Sequence, residues 1–224
     1  MVISQPYRLI NARPSPYGRK VAVAMLEKGV IFDTVYDEPW SDHSITAEFN
    51  PLRQLPVLIT PAGQNICDSS YILDWLEITH PAPSLLPSDR ADMLSALEMK
   101  TLGERLMEIA QSLIFEMHRH EPSALWINRQ SAKIASGLLA LDRIAAMPFA
   151  RDTTVIHLGH IAVGTSLIVW EFVVAEGMSP PIEVLKWRGR HSALTAMIAA
   201  LEQRPSFIAT RPQSMQVDIA RATN

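Results

Sequence analysis

Three short stretches of this chain carry residue types and spacings that could do chemistry. In Ser15-Pro16-Tyr17-Gly18-Arg19-Lys20-Val21 a hydroxyl residue stands before a proline, the pattern of an N-cap followed by the first helical position. A hydroxyl placed there lies among orphan backbone N–H groups at the positive end of a helix dipole, a setting that lowers a thiol's pKa from about 8.5. A cap that only satisfies a backbone N–H accounts for the serine as well. In Asn50-Pro51-Leu52-Arg53-Gln54-Leu55-Pro56-Val57 a proline opens an apolar run. Proline cannot donate to a ladder and suits only an edge, a first position or a bulge. A cis Leu55–Pro56 bond would turn the Leu55 N–H and C=O toward a groove, where an extended peptide could pair as an added strand; a trans proline at a strand start is the ordinary alternative. Asp68-Ser69-Ser70 then opens a helix. Ser69 and the first N–H groups would hold a carboxylate while Asp68 pairs with an ammonium, unless the segment is simply another cap. Taken together, these features describe a pocket for a short peptide containing a thiol.

The elements that must position them follow from pattern. Tyr7 to Ile10, Phe32 to Tyr36 and Val57 to Ile59 are β-type runs, and Asn65 to Cys67 completes a hairpin after Pro61-Ala62-Gly63. A helix runs from Ser15 to Lys28, stopped by Gly29, and a second from Ser69 to Thr79. Strand, helix, strand, hairpin and helix make a βαβ-ββα order, which predicts a small thioredoxin-like α/β domain over residues 1–81. A proline-rich linker at 82–88 leads to an all-helical bundle over 89–224. There Leu106, Ile109, Ala110, Leu113, Ile114 and Met117 repeat at three and four, as do Ile127, Ser131, Ile134, Leu138, Leu141 and Ala145. Ile161 to Ala175 is apolar nearly all round and belongs at the bundle's centre, and Ala193 to Leu201 forms a last helix stopped at Arg204-Pro205.

Composition excludes several classes. With 48% hydrophobic and 19% charged residues the 224-residue chain buries a core. The balance of 20 basic against 23 acidic side chains gives no basic stripe for nucleic acid. A single cysteine, Cys67, forms no intramolecular disulfide, and the site expected here needs neither a metal nor a nucleotide. The longest apolar stretch, fifteen residues from Ile161 interrupted by Glu171, falls short of the roughly 20 of a membrane span, and the start lacks the apolar run of a secretory signal. The expectation is a cytoplasmic protein that does not enter a membrane.

The quoted stretches, with Cys67-Asp68-Ser69 and Ile72-Leu73-Asp74-Trp75-Leu76, resemble the glutathione S-transferase family, in particular bacterial members with an S-P-[FY]-x-R-K start. The likeness spans residues 7–80 and continues more faintly to 211, where Trp126-Ile127-Asn128-Arg129-Gln130 and Arg204-Pro205-Ser206-Phe207 are similar to the family's helical domain. It implies that Pro56 is a cis-proline, that Leu55 pairs with the cysteinyl part of glutathione, that Asp68 and Ser69 hold its γ-glutamyl end, and that Gln54 lies near the glycyl side. It implies a catalytic role for Ser15 beside the sulfur, glutathione as co-substrate, and a homodimer. The reaction implied is attack of the activated thiol on a small electrophile. Disulfide or peroxide reduction by glutathione, and a non-catalytic binding role, stay open as alternatives. The chain departs from the family at Pro14, where a small polar residue is common, and at His157-Leu158-Gly159-His160, where a Ser/Thr-x-x-Asp capping box is expected. Histidine ranks below those caps, so the sequence predicts a weakened helix start costing about 1 kcal/mol.

Overall fold

A computed structural model of the chain describes residues 6–215. They form two compact units, one running to Leu85 and rejoined by a segment from Ser206, the other from Leu86 to Pro205. The first unit contains β1 (Tyr7–Asn11), α1 (Pro16–Glu27), β2 (Phe32–Tyr36), a short α2 (Thr46–Phe49), β3 (Val57–Ile59), β4 (Asn65–Ile66) and α3 (Ser69–Thr79). Its sheet has the order β2-β1-β3-β4, with β1 parallel to β2 and both other pairs antiparallel. This is the thioredoxin-like arrangement expected from the βαβ-ββα order.

The register decides which side chains share a face. Ile10 lies opposite both Val35 and Val57, and these with Ile59 form an apolar cluster that Phe49, Leu55 and Cys67 complete. Alternation sends Leu9 and Leu58 to the other face, where α1 and α3 pack together and bury Val21, Met25, Ile72, Leu73 and Leu76. Helix α1 ends as a Schellman motif: Gly29 takes φ +67°, its N–H reaches Leu26 O at 3.1 Å and the Val30 N–H reaches Met25 O at 2.9 Å. Its first turn rests on the buried amide of Asn11, so closely that a Cβ on Gly18 would fall 1.7 Å from Asn11 Oδ1. Lys28, its side chain fully buried, donates to Glu77 Oε1 at 2.6 Å and to the carbonyls of His80 and Pro83 at 2.8 and 2.9 Å.

The segment from Ser206 corrects one boundary. Placed by sequence with the helical domain of residues 89–224, it folds instead with the first unit. The physical reason is burial of Phe207, whose carbonyl accepts from Arg19 Nη2 at 3.2 Å, and a hydrogen bond from the Ser206 hydroxyl to Glu27.

The second unit contains α4 (Arg90–Met117), α5 (Ala124–Ala145), α6 (Pro148–Arg151), α7 (Leu158–Ala175) and α8 (Ser192–Leu201); a last short helix, α9 (Pro205–Ala209), follows. Pro205 thus stops nothing; it starts α9, as proline at a first helical position does. Helix α7 is three residues longer at its start than its apolar run. At 18 residues it has the length and composition of a membrane span, but 67% of it is buried within the protein, packed on α4. The Ser166 hydroxyl donates to Gly103 O at 3.1 Å across that contact.

The start of α7 overturns the expectation of a lost cap. His157 Nδ1 accepts the His160 N–H at 3.3 Å and His160 Nδ1 accepts the His157 N–H at 3.4 Å, a reciprocal capping box built from two imidazoles. The rings stack at 3.6 Å, and His160 Nε2 donates to Ala150 O at 2.8 Å. A neutral imidazole offers a lone pair as a carboxylate does, without the charge that a buried site rejects. Burial, then the neighbouring His160, lowers the pKa of His157 to about 3. Burial also lowers that of His160 to about 4, although its bond to Ala150 works the other way.

Both folded-state pKa values lie below the ordinary histidine value, so the unfolded chain binds more protons. The stabilisation is complete above about pH 6.5 and is lost as pH falls toward 4 and then 3. We expect a loss of about 2 kcal/mol by pH 5 from each histidine of this pair. Thermal unfolding of the wild type should fall more steeply between pH 7 and pH 5 than that of His157→Asn/His160→Gln, which keeps polar caps that do not titrate. Parallel pH profiles for the two proteins would refute it.

Candidate functional site

The sheet brings the three sequence-nominated stretches to one edge. Ile10, near the end of β1, pairs with Val57, the first residue of β3, and β4 ends beside β3 with Ile66 opposite Leu58. Ser15 follows β1, Leu55 and Pro56 precede β3, and Asp68 and Ser69 follow β4, so all five leave the sheet at the carboxyl end of β1.

Ser15 is the N-cap of α1, with extended φ −67° and ψ 119°, and its Oγ accepts from the Gly18 N–H at 3.4 Å. Accepting that bond leaves the hydroxyl proton as a donor, because a serine oxygen holds two lone pairs beside its O–H. No acidic residue occupies the first turn of α1 to oppose an anion there. The cap reading and the anion-stabilising reading are therefore compatible in one side chain.

The loop before β3 is organised by Asn50, a residue the sequence reading quoted without giving it a role. Its buried side chain accepts the Leu52 N–H at 3.0 Å and donates to Gln54 O at 2.7 Å, while its carbonyl accepts the Arg53 N–H at 2.9 Å. Asn-Pro followed by a return after two residues is the signature of an Asx turn, and that signal was available. Arg53 takes φ +53°, the left-handed region that non-glycine residues rarely adopt. The Leu55–Pro56 bond is cis, as the family resemblance implied. Leu55 stands outside the ladder, and among the described residues neither its N–H nor its C=O has a backbone partner. Gln54 is exposed; the structure fixes its carbonyl through Asn50 rather than its side chain.

At α3 the structure divides the donors differently from the sequence expectation. Asp68 is the N-cap, and its Oδ1 accepts the N–H groups of Ser70 at 3.0 Å and Tyr71 at 3.2 Å. Those two donors, expected to hold a carboxylate together with Ser69, are thus engaged by the protein's own aspartate. Ser69, only 5% exposed, keeps its N–H and hydroxyl at the first helical position, and the exposed Asp68 keeps its second oxygen. Cys67 precedes this cap, half-buried. Burial, then the Asp68 carboxylate, raises its thiol pKa, which marks it as a packing residue rather than a nucleophile.

A polar helix start, a proline-led strand and a capped helix meet at one end of a thioredoxin-like sheet, and this is the candidate site. A family profile described as the N-terminal domain of glutathione S-transferase matches residues 9–84. A crystal structure of a glutathione S-transferase from Methylobacterium radiotolerans, in complex with glutathione sulfonate, is 38% identical, with TM-score 0.84 over 95% of this chain and 98% of its own. One from Methylobacillus flagellatus with bound glutathione is 28% identical, with TM-score 0.81 over 92% of this chain and all of its own. The uncharacterized GST-like protein YibF of Escherichia coli K12 is 28% identical over 92% of this chain and 98% of its length. The chain belongs to the glutathione S-transferase family.

The cap role of Asp68 separates from any ligand role by substitution. Asp68→Ala removes the acceptor for two N–H groups and should cost about 1 kcal/mol of stability, whereas Asp68→Asn, an equally good cap, should change it by a few tenths. Equal melting temperatures for the two variants would show that the cap contributes nothing.

Proposed function

We propose that this protein is a glutathione-dependent transferase. In this reading Ser69 holds the γ-glutamyl carboxylate and Asp68 its ammonium. The Leu55 backbone pairs with the cysteinyl residue, and Gln54 lies at the glycyl end. Ser15 donates its hydroxyl proton to the sulfur while the α1 dipole favours the thiolate. The thiolate attacks an electrophilic carbon; the new C–S bond forms as a leaving group departs, or as a conjugated double bond takes up the electron pair and then a proton. The protein's part is to raise the thiolate fraction at neutral pH and to hold the sulfur in place. Residence in the cytoplasm and a homodimeric state complete the reading, on family likeness.

The observation that carries this reading is the Ser15 hydroxyl, which caps α1 through its oxygen and keeps its proton as a donor at the sheet edge shared with Leu55 and Ser69. The relatives crystallised with glutathione or its sulfonate support the ligand. Serine rather than cysteine at position 15 favours conjugation over exchange through a protein mixed disulfide.

Calorimetry with glutathione tests the clamp, and a pH profile tests the hydroxyl. Asp68→Asn should weaken binding about tenfold to a hundredfold while retaining stability, as loss of a charged hydrogen bond requires. Ser15→Ala should raise the pKa of the bound thiol, so that its conjugation rate with an aryl halide falls most at pH 6.5 and recovers toward the wild-type rate as pH rises. A wild type that binds no glutathione would end the proposal, and a pH-independent deficit would remove Ser15 from thiol activation.

A further inference from the structure

Asp37, the residue after β2, carries a buried carboxylate that the candidate site as described does not use. Its side chain collects donors from one stretch of the loop that follows. The Ser44 hydroxyl donates to Oδ2 at 2.8 Å and the Thr46 N–H to the same oxygen at 3.1 Å, while the Ile45 N–H reaches Oδ1 at 3.4 Å. The hydroxyl of Thr46, itself fully buried, makes a further short bond to Oδ2. Burial by itself raises the carboxyl pKa, but the bonds from Thr46, Ser44 and the Ile45 and Glu38 backbone outweigh it and hold the group below the ordinary carboxylate value. The Asp37 N–H donates to Asn11 O at 2.9 Å, which anchors this carboxylate to the end of β1 that leads to Ser15.

These bonds matter because α2 cannot hold itself. It is four residues long, and Ile45 at its N-cap position makes no side-chain cap bond. Isolated helices are marginal below roughly 12–15 residues, so one turn persists only where its ends are fixed by other groups. Asp37 supplies the missing acceptor from the end of the neighbouring strand. The far end of α2 runs directly into the Asn50 turn: the Asn50 N–H donates to Thr46 O at 2.9 Å, and its side chain donates to Gln54 O at 2.7 Å. Leu55 is anchored independently, packed in the apolar cluster with Ile10 and Val57. Gln54 is exposed, lies outside that cluster and is fixed through Asn50.

We propose that Asp37 is a positioning residue for the third residue of a bound tripeptide. By capping α2 it sets the Asn50 turn, and with it Gln54, the residue read above as lying at the glycyl end of glutathione. This inference rests on the glutathione reading.

Calorimetry with glutathione and with γ-glutamylcysteine, which lacks the glycyl residue, separates this role from a merely structural one. The wild type should bind glutathione about tenfold more tightly than the dipeptide, as a charged hydrogen bond at the glycyl end requires. Asp37→Asn keeps the size of the side chain but sets an amide NH2 among donors. It should cut the preference to about twofold and leave the dipeptide's affinity within about twofold of the wild-type value. Thr46→Val, which keeps the shape and removes one donor, should give an intermediate preference, and it carries the test alone if Asp37→Asn does not fold. An unchanged preference in the folded variants would overturn the inference, as would an equal loss of affinity for both ligands, the result of general destabilisation. So would a wild type that binds the two ligands equally, an outcome that leaves the glutathione reading standing. A wild type that binds neither ligand removes that reading and this inference with it.

Discussion

The candidate site depends first on the antiparallel pairing of β1 with β3. Leu9 facing Leu58 and Ile10 facing Val57 is a short ladder, yet it places the exit of β1 beside the entry to β3. A slip of one residue would turn Ile10 and Val57 out of their apolar cluster and expose Leu9 and Leu58 to the wrong face. Burial on both faces therefore fixes the register, and the register sets Ser15 on the same edge as Leu55. The β3–β4 hairpin carries that alignment on to Asp68. Proximity at this edge is thus a consequence of core packing, with no contribution needed from the polar groups themselves.

At that edge the polar groups serve the fold and keep hydrogen-bonding capacity that the proposed ligand would use. Ser15 and Asp68 each satisfy backbone donors of the helix they precede, and each retains a part of its hydrogen-bonding capacity. Such dual use keeps the side chains in place before a ligand arrives, which lowers the ordering cost of binding. The same economy appears at the start of α7, where two histidines fill both halves of a capping box and remain neutral in doing so. One structural problem, orphan donors at a helix start, has three chemical solutions in one chain: hydroxyl, carboxylate and imidazole.

Much of this was legible in the sequence, for reasons that can be named. Pro16 and Gly29 bracket α1 because proline suits a first helical position and glycine the left-handed residue after the last. The strands emerged from short β-rich runs, with Phe32–Tyr36 placed to the residue. What stayed hidden depended on distant contacts. Ser206 and Phe207 follow a helix stop in sequence, and it is contacts to Arg19 and Glu27, with burial of the Phe207 ring, that draw them to the first unit. The histidine box was misread because ranking cap residues by type ignores burial, which suppresses the protonation that makes histidine a poor cap. At the site, Asp68 and Ser69 were correctly placed at a helix start, but the sharing of N–H groups between them required backbone geometry that composition does not encode.

The setting of Cys67 bears on how the protein withstands oxidants. The chain has one thiol. Oxidation to sulfenic acid proceeds through the thiolate, and here both partial burial and the adjoining Asp68 carboxylate oppose its formation. An enzyme whose own sulfur reacts is inactivated when that sulfur is overoxidised; this chain's sole cysteine is a packing group in an apolar cluster with Ile10 and Val57. In the proposed reading, thiol chemistry at this site falls on a bound, exchangeable molecule, so an oxidant acting on that thiol would consume something that diffuses away and is replaced.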